Sequence, residues 1–173
     1  GEFWLKNGEP FSVLFRMVGW LAPFYLIRSP GNKSLLRIGI RWPCAGLLRS
    51  ESLPTGGVAF VILVLSTVSF DGLSKTFWWL SLVEKNPLEY PGRTEMMMPN
   101  TLGLCITFMI FFSAFYSVQR LASWLNPEAQ QTSSFIYSMI PIAFGYHFAH
   151  YLPTFIVDIQ YALIALSDPF GIG

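Results

Sequence analysis

The sequence predicts an all-α integral membrane protein. It reads as a bundle of three transmembrane helices, with a partial or interfacial helix at the N-terminal end and an amphipathic helix on the outer surface. Three observations carry that expectation. Hydrophobic residues make up 53% of the 173 and charged residues 12%, with mean hydropathy +0.47. Soluble domains carry about 25% charge, so half of the usual solvating groups are missing. Three apolar runs match the roughly 20 helical residues needed to cross a hydrocarbon core about 30 Å thick. Basic residues are also shared unevenly among the connecting segments, as topology-setting charges are.

The elements follow in order within a single membrane domain, 1–173. Residues 11–27, FSVLFRMVGWLAPFYLI, are interrupted by Arg16 and Pro23 and read as an interfacial helix or partial span. Residues 28–52 form a basic loop, in which Arg28, Lys33, Arg37, Arg41 and Arg49 occur with no acidic residue between Arg28 and Arg49. Within it LLRIGIRW alternates, Arg37, Gly39 and Arg41 on one side and Ile38, Ile40 and Trp42 on the other. That is a strand-like period; a solvated basic loop is the competing reading. The five cations are candidates for contact with anionic lipid headgroups.

Residues 53–70 are the first span, closed by Asp71. Residues 71–95 are an outer loop holding an amphipathic helix over Asp71 to Asn86, with Phe77, Trp78 and Trp79 expected in the aromatic belt. NPLEYPGR then turns the chain, because two prolines and a glycine exclude a regular helix there. Residues 96–118 are the second span, and 133–166 a long third span kinked at Pro153. Positive-inside logic places the Arg28–Arg49 loop in the cytoplasm. Gly56-Gly57 and Gly103 mark places where helices can approach closely.

The third span carries the sequence's most chemical feature. At 100° per residue, His147, His150, Tyr151, Thr154, Asp158 and Tyr161 fall on one helix face about 100° wide. Ionisable groups at membrane depth cost several kcal/mol and face protein or a water-filled cavity, so this stripe is expected to be buried. Three readings of it fit. His147 and His150 could ligate a transition metal or haem, although a metal wants three or four protein ligands and Asp158 lies about 16 Å from His147 along the axis. The His–Tyr–Thr–Asp ladder could carry protons or a small solute. Or the imidazoles are hydrogen-bonded to neighbouring helices and serve packing specificity.

Other chemistry is sparse. The sequence contains no G-x-S-x-G elbow, H-E-x-x-H pair or Gly-rich phosphate loop. Asp71, Glu84, Glu89 and Glu95 read as a solvated acidic loop, and Met96–Met98 as apolar filling, since three consecutive residues point three ways on a helix. Cys44 and Cys105 read as small apolar side chains, not as a disulfide. With a net charge of +1, nucleic acid is not an expected partner.

GEPFSVLF (Gly8 to Phe15), STVSFDGLSKTFWW (Ser66 to Trp79), NTLGL (Asn100 to Leu104) and GYHFAHYL (Gly145 to Leu152) resemble, in order, a bacterial multi-pass family commonly labelled fenitrothion hydrolase. The resemblance implies a location in the bacterial inner membrane and further spans before Gly1 and after Gly173, so the chain reads as an internal segment of a longer protein. The family label implies hydrolysis of an organophosphorus ester. No complete catalytic set is legible, so the leading expectation is a non-catalytic or accessory component of a larger membrane assembly. Its partners would be the lipid bilayer and further transmembrane helices, from the same longer chain or from other subunits. An enzyme with a metal or haem at His147 and His150 is the alternative, and permeation along the stripe the third.

Overall fold

In a computed structural model, residues 4, 8–29, 32–49, 53–85, 94–126, 134–167 and 169 are described. The chain divides into two compact units, one of residues 1–63 and 110–141, the other of residues 64–109 and 142–173. Three long helices each begin in one unit and end in the other. All three are long and apolar enough to cross a membrane, which makes this a helical membrane-embedded protein.

In the first unit, helix α1 spans Pro10–Leu21. Glu9 caps it, its carboxylate accepting the backbone N–H groups of Phe11 and Ser12, and Pro10 occupies a first-turn position where a missing N–H costs nothing. The Ser12 side chain and backbone hold the Glu9 carboxyl below its usual range. Twelve residues reach only about 18 Å, too short to cross. The helix stops where it does because Pro23 biases Ala22 to an extended conformation. The partial span expected over 11–27 is therefore shorter: a strand already begins at Phe24.

That strand, β1 (Phe24–Ser29), pairs antiparallel with β2 (Asn32–Ile40). Phe24 faces Ile40, Leu26 faces Ile38 and Ile27 faces Arg37. The alternation in LLRIGIRW is thus a strand, and the basic loop assigned to 28–52 is in large part a hairpin arm. Gly39 is required on its face, where an added Cβ would come within 2.6 Å of the Tyr25 ring. Beyond β2, Cys44 holds φ 66°, a left-handed conformation that suits glycine. A single 3-10 turn, Leu47–Arg49, leads toward α2 (Thr55–Ser74).

Arg41 ties the hairpin to α1. Its Nε donates to Ala22 O at 3.0 Å and its Nη2 to Gly19 O, and its guanidinium lies over the Tyr25 ring, 5.4 Å from the centroid. Carbonyls at a helix C-terminus have no intrahelical partner, and a cation there also meets the helix dipole. Arg41 therefore acts as a helix clamp. Arg37 is exposed; the side chains of Arg28, Lys33 and Arg49 lie outside the described residues.

The buried side chains of this unit are Val13 and Met17 of α1, Leu53, Val58, Val61 and Ile62 around the start of α2, and Ile136 and Ile140 of the last helix. Trp20 meets Tyr137 edge-on, with centroids 5.9 Å apart. Arg16 lies over Trp20 at 5.8 Å, its Nε buried without a hydrogen-bond partner among the described residues; the ring face supplies the compensating charge interaction.

The second unit holds the end of α2, α3 (Phe77–Val83), the first half of α4 (Thr94–Leu125) and the end of α5 (Ser134–Ser167). The first span does not close at Phe70. It continues as helix through Asp71 to Ser74, with Thr67 and Ser69 returning their hydroxyls to the carbonyls of Val64 and Leu65, a route to satisfaction that needs no water. The helix expected over Asp71 to Asn86 is, apart from the end of α2, the seven-residue α3, N-capped by Thr76. NPLEYPGR lies outside the described residues.

Phe77 and Trp78 of α3 are exposed, but Trp79 is buried. Two residues on a helix are about 200° apart, so Phe77 and Trp79 cannot share a face. Trp79 packs edge-on against Phe70, centroids 5.1 Å apart, and donates its indole N–H to Asn100 Oδ1 at 3.0 Å. Gly103 of α4 makes this possible, since a Cβ there would come within 2.4 Å of both rings. Gly56, by contrast, has open space where its Cβ would be, and Gly57 meets only the nearby Leu53 and Pro54.

Substitution of Gly103 by Ala is expected to destabilise the folded chain by about 1–3 kcal/mol through forced overpacking. Gly56→Ala is expected to leave it unchanged or slightly more stable. Reversible unfolding in mixed micelles checks both, and equal effects at the two glycines would contradict the packing described.

Candidate functional site

The polar stripe meets a partner at one point. His150, two residues before Leu152 on α5, places Nε2 2.8 Å from Asp71 Oδ2 on α2. Lys75, one turn after Asp71, donates its Nζ to the same oxygen, also at 2.8 Å. A carboxylate only accepts, so Nε2 of His150 carries a proton and donates it. His150 is about one-fifth exposed and Asp71 one-third, whereas Lys75 is two-thirds exposed. An exposed i, i+4 ion pair contributes little. The interhelical bond is the less exposed of the two links.

Aromatic rings frame the imidazole. Tyr151 meets it edge-on with centroids 4.9 Å apart, and Tyr146, one turn earlier, does so at 6.2 Å. The backbone of Gly72 lies close enough that an added Cβ would touch His150 Cε1 at 3.9 Å. His147 turns elsewhere. Its Nδ1 donates to the carbonyl of Ala143 in its own helix at 3.0 Å.

The two histidines are therefore not brought into one ligand set. Each has one ring nitrogen committed to a hydrogen bond, and among the described residues no group of three or more His, Cys, Asp and Glu could hold a metal ion. A transition metal asks for three or four protein ligands, so these residues do not fit one. Among the described residues the acids between Asp71 and Glu95 do not gather into one site either. Asp71 serves His150 and Lys75, Glu95 pairs with Lys85 at 3.3 Å, Glu84 is exposed, and Glu89 lies outside the described residues.

Helix α5 runs unbroken through Pro153 to Ser167, so the six stripe residues do share one helix. Burial is confined to its first part. His147 and His150 are half-buried, while Tyr151, Thr154, Asp158 and Tyr161 are exposed in this chain. The reason lies in helix length. Both α2 and α5 pass from the first unit into the second, but α2 ends three residues after Asp71 and α5 continues to Ser167. At 1.5 Å per residue, Asp158 stands about 12 Å past His150 and the helix end about 25 Å past it. Within this chain, then, only the two histidines of the stripe are partly covered.

The pairing of Asp71 with His150 is the contact that sequence reading missed. The available signal was its position, an acid at the end of one apolar run with a histidine inside another. No protein-family model, curated protein or solved structure matches the chain.

Asp71→Asn and His150→Ala are each expected to weaken the fold, with a coupling energy of about 0.5–2 kcal/mol in a double-mutant cycle, the range of interhelical polar contacts in membranes. Lys75→Ala is expected to cost a few tenths of a kcal/mol. Unfolding of the four proteins of the cycle checks this; additive single effects would show that the two side chains do not interact.

Proposed function

We propose that this chain is a non-catalytic or accessory multi-pass component of a larger membrane assembly. The observation that carries the reading is the outer part of α5, where Tyr151, Thr154, Asp158 and Tyr161 lie on one helix face and stand exposed. An acid on an apolar helix is stabilised by a protein neighbour or by water, and no side chain among the described residues bonds to Asp158. The windows of α4 and α5 that would cross the bilayer are 6% and 0% buried within the chain, which leaves long surfaces for further helices. His150 and His147 act in this reading as hydrogen-bonded packing groups. The topology we propose puts the Arg28–Arg49 segment in the cytoplasm of a bacterial cell, by its excess of cations, with the hairpin at the inner leaflet of the inner membrane.

A second reading draws on one observation. A histidine oriented by a carboxylate at 2.8 Å has the geometry of a general base held by its orienting group. With water at Nδ1 of His150, it would suit the organophosphorus ester hydrolysis implied by the resemblance to the family labelled fenitrothion hydrolase.

A photo-crosslinking residue in place of Thr154 separates the readings. The accessory role predicts adducts with protein and comigration with other subunits on a native gel. Lipid adducts alone, from a chain running as a monomer, would overturn it. Turnover of an organophosphorus ester by purified chain, lost in His150→Ala while the fold persists, would establish the second reading instead.

A further inference from the structure

The β1–β2 hairpin has two chemically different faces. Directly opposed residues of an antiparallel pair project to the same side, so the register places Phe24 with Ile40 and Leu26 with Ile38 on one face. These four side chains are 61%, 77%, 65% and 72% exposed, and Trp42, next in the same alternation, is 85% exposed. The other face carries Tyr25, Ile27, Arg37, Gly39 and Arg41, where Tyr25 covers Gly39 and Arg41 clamps α1. Five contiguous large apolar groups in open water would be a liability. Their position in the chain removes it: thirteen residues after Trp42 the apolar α2 begins, at Thr55, so the hairpin lies at the entry of a span.

We propose that this face is a membrane-docking wedge, inserted among the acyl chains of the leaflet from which α2 enters the bilayer, with anionic phospholipids gathered around it. Three observations select lipid as the occupant. The chain is membrane-embedded; the segment from Arg28 to Arg49 has five cations and no acid, the charge complement of an anionic leaflet; and the insert contains a tryptophan, the residue favoured at the headgroup boundary. The hydrogen bonds of Arg41 to Gly19 and Ala22 fix the wedge to α1, so that α1 and the hairpin dock as one piece. Exposed Arg37 projects from the opposite face, toward the phosphates. This inference does not depend on the accessory role of the chain.

The test uses the full chain with Cys44→Gly and Cys105→Ala, carrying either Ile40→Cys or Arg37→Cys labelled with an environment-sensitive fluorophore. Each protein is reconstituted in phosphatidylcholine vesicles with and without phosphatidylglycerol. The wedge predicts that nitroxide lipids quench the label at 40 about twofold or more beyond the label at 37, and that aqueous iodide does the reverse. Removing phosphatidylglycerol is expected to lower the lipid quenching at 40. Equal iodide quenching at both positions would place the face in water. Protection of position 40 from both quenchers would show a protein covering it, and either outcome overturns the proposal. Quenching that ignores phosphatidylglycerol would overturn the selection of anionic lipid.

Discussion

A carboxylate inside an apolar helix has to find proton donors, and most of what is distinctive in the second unit follows from how Asp71 does so. Lys75 reaches it from the next turn of the same helix, and His150 reaches it from α5. Only the second of these links separate helices. Because the imidazole hydrogen bond is directional and short, it sets which turn of α5 lies against the end of α2. Nearby, the Trp79 indole is held by Phe70, Asn100 and the bare backbone of Gly103. Two polar contacts and one glycine thus specify positions that apolar packing alone would leave free to slide.

The same economy governs the first unit. There the exposed carbonyls at the end of α1 are satisfied by Arg41, a residue nineteen positions past Ala22 and just beyond the second hairpin strand. A cation whose obvious use is electrostatic becomes a mechanical link, and it turns a short helix and a two-stranded hairpin into one body. Arg16 shows the opposite outcome: its Nε is buried beside the Trp20 ring without a hydrogen-bond partner among the described residues.

The three spans were legible in the sequence because hydropathy over about 20 residues is a local property and the bilayer sets the length. The β2 strand was legible as alternation around Ile38, Gly39 and Ile40, but β1 was not, since Phe24–Ser29 continues an apolar run that reads equally as helix. Pro23 was the sign that the helix ends. Trp79 was misplaced because Phe77, Trp78 and Trp79 were read as one aromatic group, although a helix sends neighbours in different directions. The stripe on α5 followed from helical periodicity. Its partner Asp71 did not, because pairing across 79 positions depends on how helices are aligned, which no local pattern encodes. That Tyr151 to Tyr161 lie uncovered depends on the relative lengths of α2 and α5, again a non-local matter.

The central claim is that Asp71 accepts a proton-bearing Nε2 from His150 and so couples α2 to α5. Nitrogen-15 NMR of histidine-labelled chain in bilayers observes that proton directly. The account predicts two unlike rings, His150 protonated at Nε2 and His147 at Nδ1, with Asp71→Asn shifting the His150 signals and leaving His147 unchanged. Two rings with the same tautomer mixture, neither of them sensitive to Asp71→Asn, would contradict it.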